Sequence, residues 1–72
     1  MNNFERFDSV EGKVVCNIAK GCFVESDCRE FYLPRYNFPQ ETRIFGTVIF
    51  VPEEIGKLPV IALDSVVYHS VA

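Results

Sequence analysis

The segment from Gly12 to Pro34 constrains the fold most strongly, because its apolar residues recur at every second position. Val14, Cys16 and Ile18 alternate with their neighbours. A period of two that includes β-branched residues predicts a strand with one buried face, whereas a helix would scatter these side chains around its surface. We therefore predict a meander of three strands.

Two turns divide this meander. Lys20-Gly21 interrupts the first run, since glycine relieves the steric limit on a chain reversal. Ser26-Asp27-Cys28 is the second turn, because Ser and Asp side chains bond nearby backbone groups and compete with extended structure. The inward side chains of the second and third strands are then predicted to be Cys22, Val24, Phe31 and Leu33.

The opposite phase turns Phe23 and Tyr32 to the outer face, where the meander brings them close together. Two interpretations are open for these rings. They are covered by the closing strand of a barrel or by the N-terminal arm, or they form a platform on which nucleic-acid bases stack.

Residues 35–42 form the longest irregular stretch, and Arg35, Tyr36 and Phe38 fall within four positions of it. This grouping is typical of a binding loop. The alternative is that Tyr36 and Phe38 plug one end of a small barrel.

The C-terminal half predicts two further strands. Residues 44–51 are nearly all apolar, as in a strand buried on both sides or bent across two sheets, and Gly46 marks a bulge or a sharp bend. A hairpin loop at 52–57 leads to a last strand at 58–67. We predict an all-β fold, a small five-stranded antiparallel Greek-key barrel, of which the OB-fold is the commonest example at this size.

We expect one barrel domain over residues 10–72, preceded by an N-terminal arm over residues 1–9. A chain of 72 residues is near the lower limit for one self-sufficient core. Phe4 and Phe7 lie in the arm, and a fully solvated tail would expose both rings. We therefore expect the arm to dock, in cis on this domain or in trans on a neighbouring subunit.

Composition favours a cytoplasmic protein. No apolar run approaches the roughly 20 residues of a membrane span, and the first residues lack the basic and apolar regions of a signal peptide. The three cysteines contain no C-x-x-C pair, so we expect neither a metal nor another cofactor. Cys16 and Cys22 are predicted to be core residues, with Cys28 exposed in a turn.

We do not expect an enzyme. Catalysis needs convergent groups such as a nucleophile beside a base, and the lone His69 has no evident partner. The net charge of −3 argues against a strong general nucleic-acid binder, because phosphate neutralisation dominates such affinity. The only basic excess, of one charge, lies within residues 13–43.

Several short motifs resemble the S-one RNA-binding domain, the OB-fold repeated in the largest protein of the bacterial small ribosomal subunit. They are G-K-V-V at 12–15, K-G-C-F-V-E at 20–25, F-Y-L-P at 31–34 and G-K at 56–57. The resemblance covers about residues 10–65. It implies an OB-fold barrel that presents aromatic side chains to RNA.

The resemblance assigns roles to single positions. It places Phe23 at the RNA-facing aromatic and Lys57 at the hairpin lysine that leads into the last strand. The family usually has a second ring where this chain has Lys20, and often a histidine where it has Pro34.

Two function hypotheses follow. The first is a non-enzymatic module that binds single-stranded RNA or another nucleic acid through Phe23, Tyr32, Lys20, Arg29, Arg35 and Tyr36. The second is a protein-interaction or assembly module, with a protein partner or a second copy on the same aromatics together with Phe4 and Phe7. The acidic balance favours the second hypothesis. The ring pattern on strands two and three, the usual ligand face of an OB-fold, favours the first, to which we give precedence.

Overall fold

The computed structural model describes residues 5–67 as five strands that close into a barrel. Their order around the barrel is β1-β2-β3-β5-β4, which confirms the predicted all-β architecture. Phe4 and His69 lie outside the described residues. The strands are β1 (Ser9–Ile18), β2 (Gly21–Ser26), β3 (Arg29–Pro34), β4 (Arg43–Phe50) and β5 (Val60–Val67).

The barrel is mixed, so the prediction of a purely antiparallel sheet was wrong. Four of the five pairings are antiparallel, but β3 and β5 run parallel. Strand directions cannot alternate all the way around a closed barrel with an odd number of strands, so at least one neighbouring pair must be parallel. The parallel contact is short. It consists of the Tyr32–Val60 pair and a hydrogen bond of 2.9 Å from the Tyr32 N–H to the Pro59 carbonyl.

Strands β2 and β3 follow the predicted alternation. The inward side chains are fully buried, and Phe23 and Tyr32 are half-buried on the outer face. The turn between these strands is shorter than predicted, because Ser26 still pairs with Arg29. Asp27 and Cys28 both have positive φ angles, 51° and 65°, as in the two-residue turns that match the twist of a hairpin.

Strand β1 departs from the predicted alternation. Its pairing with β2 shifts between Val14 and Cys16, and the extra residue of such a bulge reverses which side chains face inward. Val14 is therefore buried, whereas Cys16 and Ile18 are exposed. The prediction that Cys16 and Ile18 belong to the core was wrong.

Strand β4 is bent, and its far end is exposed. Its pairing with β5 shifts between Phe45 and Gly46, which confirms the bulge predicted at this glycine. A second shift lies between Val48 and Phe50, and both Ile49 and Phe50 are exposed. The alternative of a strand buried on both sides is therefore excluded.

Phe38 packs against the core from residues 35–42, which confirms the plug interpretation for that residue, whereas Tyr36 is exposed. The core consists of Val10, Val14, Cys22, Val24, Phe31, Leu33, Ile44, Val48 and Ile61. Along residues 5–67 the chain forms no helix with the length and hydrophobicity that a bilayer crossing requires.

The end of the N-terminal arm pairs with β4. The Phe7 N–H donates to the Val48 carbonyl over 2.6 Å, and the Val48 N–H donates to the Asp8 carbonyl over 2.8 Å. The Phe7 ring remains 70% exposed, with the Arg6 guanidinium 5.2 Å from its centroid. The backbone at Phe7 and Asp8 is thus fixed on this domain, but the Phe7 ring is not docked in cis.

Gly21 is required by close packing and lies just after the turn, which is formed by Ala19 and Lys20. A Cβ at this position would overlap the Leu33 carbonyl oxygen and approach the Pro34 Cα to 2.9 Å. Backbone atoms of a paired strand cannot move aside cheaply. We expect Gly21→Ala to destabilise the barrel by about 1–3 kcal/mol, the usual cost of overpacking. Urea unfolding followed by circular dichroism measures this change, and a variant as stable as wild type would contradict it.

Candidate nucleic-acid interface

Phe23 and Tyr32 lie side by side on the outer face of β2 and β3. They are direct cross-strand partners, with ring centroids 5.9 Å apart and planes tilted by 49°. This confirms the prediction that the two rings are adjacent. The Tyr32 hydroxyl donates a hydrogen bond of 3.1 Å to the Lys20 carbonyl, which fixes the ring at the edge of the pair.

The same row continues across the seam of the barrel. Tyr32 is opposite Val60 on β5, and Val60 is opposite Phe50 on β4. Phe50 is 56% exposed. On the other side of the row, Phe23 is opposite the exposed Cys16 of β1. Three aromatic side chains therefore lie on one outward row.

The loop between β4 and β5 forms the second wall of an open groove of about 540 Å³ beside these rings. The surface of this groove is almost entirely apolar, and Lys57 is the charged residue among those that line it. We call it the aromatic groove, and it is lined by Phe23, Tyr32, Phe50, Pro52, Gly56, Lys57, Leu58 and Val60.

Lys57 is held only weakly by the protein. Its Nζ lies 3.8 Å from Glu54 Oε1, and both side chains are well exposed. Exposed pairs of this kind contribute about 0–1 kcal/mol, so an incoming anion can replace the carboxylate. The predicted site residues omitted Lys57 and Phe50. The hairpin G-K motif was the available signal for Lys57, whereas the exposure of Phe50 depends on the β4 bulge.

A second groove, of about 320 Å³, lies where β3 and β5 separate beyond Tyr32 and Val60. It contains Arg35 and Tyr36, so these two predicted site residues lie together but outside the aromatic groove. We call it the seam groove, and its lining is Leu33, Pro34, Arg35, Tyr36, Ile49, Ile61, Ala62 and Leu63.

Lys20 and Arg29 line neither groove. Lys20 is nevertheless placed between the two grooves, because its carbonyl accepts hydrogen bonds from the Tyr32 hydroxyl and, over 2.7 Å, from the Arg35 N–H. Arg29 is opposite Ser26, at the other end of the β2–β3 hairpin. The structure thus brings the Lys20 backbone towards the candidate interface and places Arg29 away from it.

The charges of the two grooves differ from those of the chain as a whole. Neither lining contains Asp or Glu, although the net charge is −3. Two other cations are engaged elsewhere, with Lys13 Nζ 3.3 Å from Glu41 Oε1 and Arg43 Nη1 3.0 Å from Glu11 Oε2. Most of the acidic side chains therefore lie away from the two grooves, and Glu54 adjoins the aromatic groove through its pair with Lys57.

The three cysteines are free thiols with different surroundings. Cys22 is fully buried, so its thiol is inaccessible to solvent. Burial also raises the pKa of this thiol above its ordinary value, so it stays protonated at neutral pH. Cys16 and Cys28 are exposed. Within residues 5–67, His, Cys, Asp and Glu side chains form no cluster that could hold a metal ion.

We expect the exposed thiols of Cys16 and Cys28 to react with an aromatic disulfide reagent in the native protein, because the thiolate is the reactive form and both are accessible. Cys22 should react only after unfolding in denaturant. Absorbance of the released thiolate, with Cys16→Ser and Cys28→Ser as controls, assigns each reaction. Fast native labelling of Cys22 would contradict its place in the core.

Comparison with known proteins assigns no family. No protein-family model matches the sequence, no curated protein matches it, and no solved structure matches the fold.

Proposed function

We propose that this chain is a small non-enzymatic module that binds single-stranded nucleic acid in the aromatic groove, with RNA as the first candidate ligand. The observation that carries the proposal is the pair of outward rings of Phe23 and Tyr32 in a groove that also contains Lys57, whose exposed pair with Glu54 is weak. A ring of this kind can stack on any base, because every base has a π-face. A neighbouring ammonium neutralises phosphate.

The position of the groove supports an OB-fold of the S-one type. OB-folds bind oligonucleotides on the face of strands two and three, between the β1–β2 and β4–β5 loops. Here the rings lie on β2 and β3, Lys20 lies in the first of these loops and Lys57 in the second. The resemblance to the S-one domain matches Phe23 to the RNA-facing aromatic and Lys57 to the hairpin lysine, and here both residues line the aromatic groove. We place the protein in the cytoplasm, where free thiols persist.

The small number of cations predicts binding dominated by stacking. If Lys20, Arg35 and Lys57 each neutralise one phosphate, the slope of log K against log salt for a single strand is about −2. Fluorescence anisotropy of a labelled single-stranded RNA, titrated at low and at physiological salt, measures this slope. Saturable binding with that dependence is the expected result, and no binding at low salt would reject the proposal.

A second candidate function is protein assembly, and exposed apolar side chains favour it. Ile49 and Phe50 are 41% and 56% exposed, and Ile55 in the following loop is 104% exposed. These three residues lie within seven consecutive positions of the chain, and exposed apolar side chains mark an interaction surface where they form one patch. Under this hypothesis, sedimentation velocity would show association that rises with concentration and is abolished by Ile55→Ser. A monomer at every concentration would exclude self-assembly.

A further inference from the structure

We propose that the seam groove is a second nucleotide subsite, in which Tyr36 stacks on a base and Arg35 binds an adjoining phosphate. This inference rests on the proposed function and extends the binding track from Phe23 and Tyr32 towards residues 35–42. Four observations carry it: the support of the Tyr36 ring, the rigidity of the loop, the charge of Arg35 and the short distance to the aromatic groove.

The Tyr36 ring is prepared for stacking. It lies parallel to the Phe38 ring, with planes 7° apart and centroids 5.8 Å apart. Phe38 in turn packs against the barrel core. Tyr36 is thus supported from within and is 45% exposed, so a base can stack on it without displacing the core.

Two asparagines fix the loop that carries Tyr36. The Asn37 Nδ2 donates to the Gly21 carbonyl over 2.7 Å and to the Ile18 carbonyl over 3.0 Å. Asn17 bonds both backbone groups of Phe38, with its Nδ2 2.7 Å from the carbonyl and its Oδ1 3.1 Å from the N–H. A loop that is already ordered loses little conformational entropy when a ligand binds.

Arg35 supplies positive charge beside the ring. Its N–H donates to the Lys20 carbonyl over 2.7 Å, and its φ of 79° is the left-handed conformation that turns the chain away from β3. Between residues 5 and 67, no carboxylate forms an ion pair with its guanidinium. The seam groove therefore complements an anion. The positive charge of Arg35 and the ring of Tyr36 together favour a nucleotide, which has both a phosphate and a base. A peptide of apolar residues would leave the charge unpaired.

The two grooves are close enough for one short strand. Tyr32 and Tyr36 are four residues apart, so their Cα atoms are separated by no more than about 14 Å. OB-folds bind roughly 4–16 nucleotides, and a strand of that length can contact both rings. The Lys20 backbone lies between the two grooves, because its carbonyl accepts hydrogen bonds from Tyr32 and Arg35. Its long side chain can reach a phosphate that connects the two bases.

The test uses a labelled single-stranded RNA of about 12 nucleotides, within the OB-fold range, and the variants Tyr36→Ala, Tyr36→Phe and Phe23→Ala. We expect Tyr36→Ala to weaken binding roughly tenfold, as for the loss of one stacked base, whereas Tyr36→Phe retains wild-type affinity. Arg35→Gln should reduce the magnitude of the salt slope by about 0.7, and Arg35→Lys should preserve it. Thermal melting by circular dichroism checks folding, with Tyr36→Leu as the replacement if Tyr36→Ala is unstable.

The outcomes of this experiment test the second subsite and the proposed function separately. If Phe23→Ala weakens binding but Tyr36→Ala binds like wild type, the second subsite is rejected and the proposed function stands. Equal losses in Tyr36→Ala and Tyr36→Phe would show a role of the hydroxyl and overturn stacking. No binding of RNA by the wild-type protein would reject the proposed function itself.

Discussion

Phe31→Ala is expected to destabilise the protein by about 3–5 kcal/mol, the usual loss when a buried phenylalanine is truncated. Phe31 is the largest fully buried side chain, at the centre of β3 with 0% exposure. Its removal leaves a cavity that the surrounding strands cannot close, because hydrogen-bonded neighbours on both sides fix their positions. A domain of this size has a total stability of roughly 4–11 kcal/mol, so the variant should be unfolded or close to it.

Urea denaturation followed by far-ultraviolet circular dichroism measures this loss. Phe50→Ala is the matched control, since it removes the same ring from an exposed position and should change the free energy of unfolding by about 0.5 kcal/mol or less. Equal losses in the two variants would contradict the assignment of Phe31 to the core and Phe50 to the surface.

The double variant Phe23→Ala/Tyr32→Ala is expected to lose RNA binding. Each base stacked on an aromatic side chain contributes about 1–3 kcal/mol, so the loss of two contacts weakens binding by about 2–6 kcal/mol. The smallest of these values corresponds to roughly a thirtyfold increase in Kd. Fluorescence anisotropy with the same labelled RNA measures the change.

Phe7→Ala is the control for this experiment, because Phe7 is an exposed ring outside both grooves. It should bind RNA like wild type. The two rings that the double variant removes are half-buried in the wild-type protein, so the folding of the variant must be checked by thermal melting. Phe23→Leu/Tyr32→Leu retains apolar area without the rings and serves if the alanine variant unfolds. Wild-type affinity in a folded double variant would contradict stacking at these positions.

The sequence predicted the in-and-out pattern of β2 and β3 because that hairpin is a regular ladder. Every position from Gly21 to Ser26 pairs without a shift, so a period of two runs unbroken through Phe23 and Tyr32. The pattern failed in β1, because the bulge after Val14 adds one residue to the count. Cys16 and Ile18 are apolar residues of the kind found in protein cores, and nothing local in the sequence reveals that the register of β1 against β2 has shifted.

The candidate site was predicted in part, for a similar reason. Phe23 and Tyr32 are local partners, and a hairpin pattern is sufficient to place them together. The contact of Tyr32 with Val60, and the place of Lys57 beside both rings, depend on how distant strands close the barrel. Such pairings are set by core packing and bulges along the whole chain. Arg29 was included for its charge, but strand direction places it at the opposite end of the hairpin.

Heteronuclear NMR of the labelled protein, titrated with unlabelled single-stranded RNA, maps the RNA contacts residue by residue. We expect saturable chemical-shift changes at the Phe23 and Tyr32 rings and at the Lys57 amide. Little change is expected at Glu11 and Asp27, which line a separate concavity of mixed charge. No saturable change, or changes confined to that concavity, would contradict nucleic-acid binding in the aromatic groove.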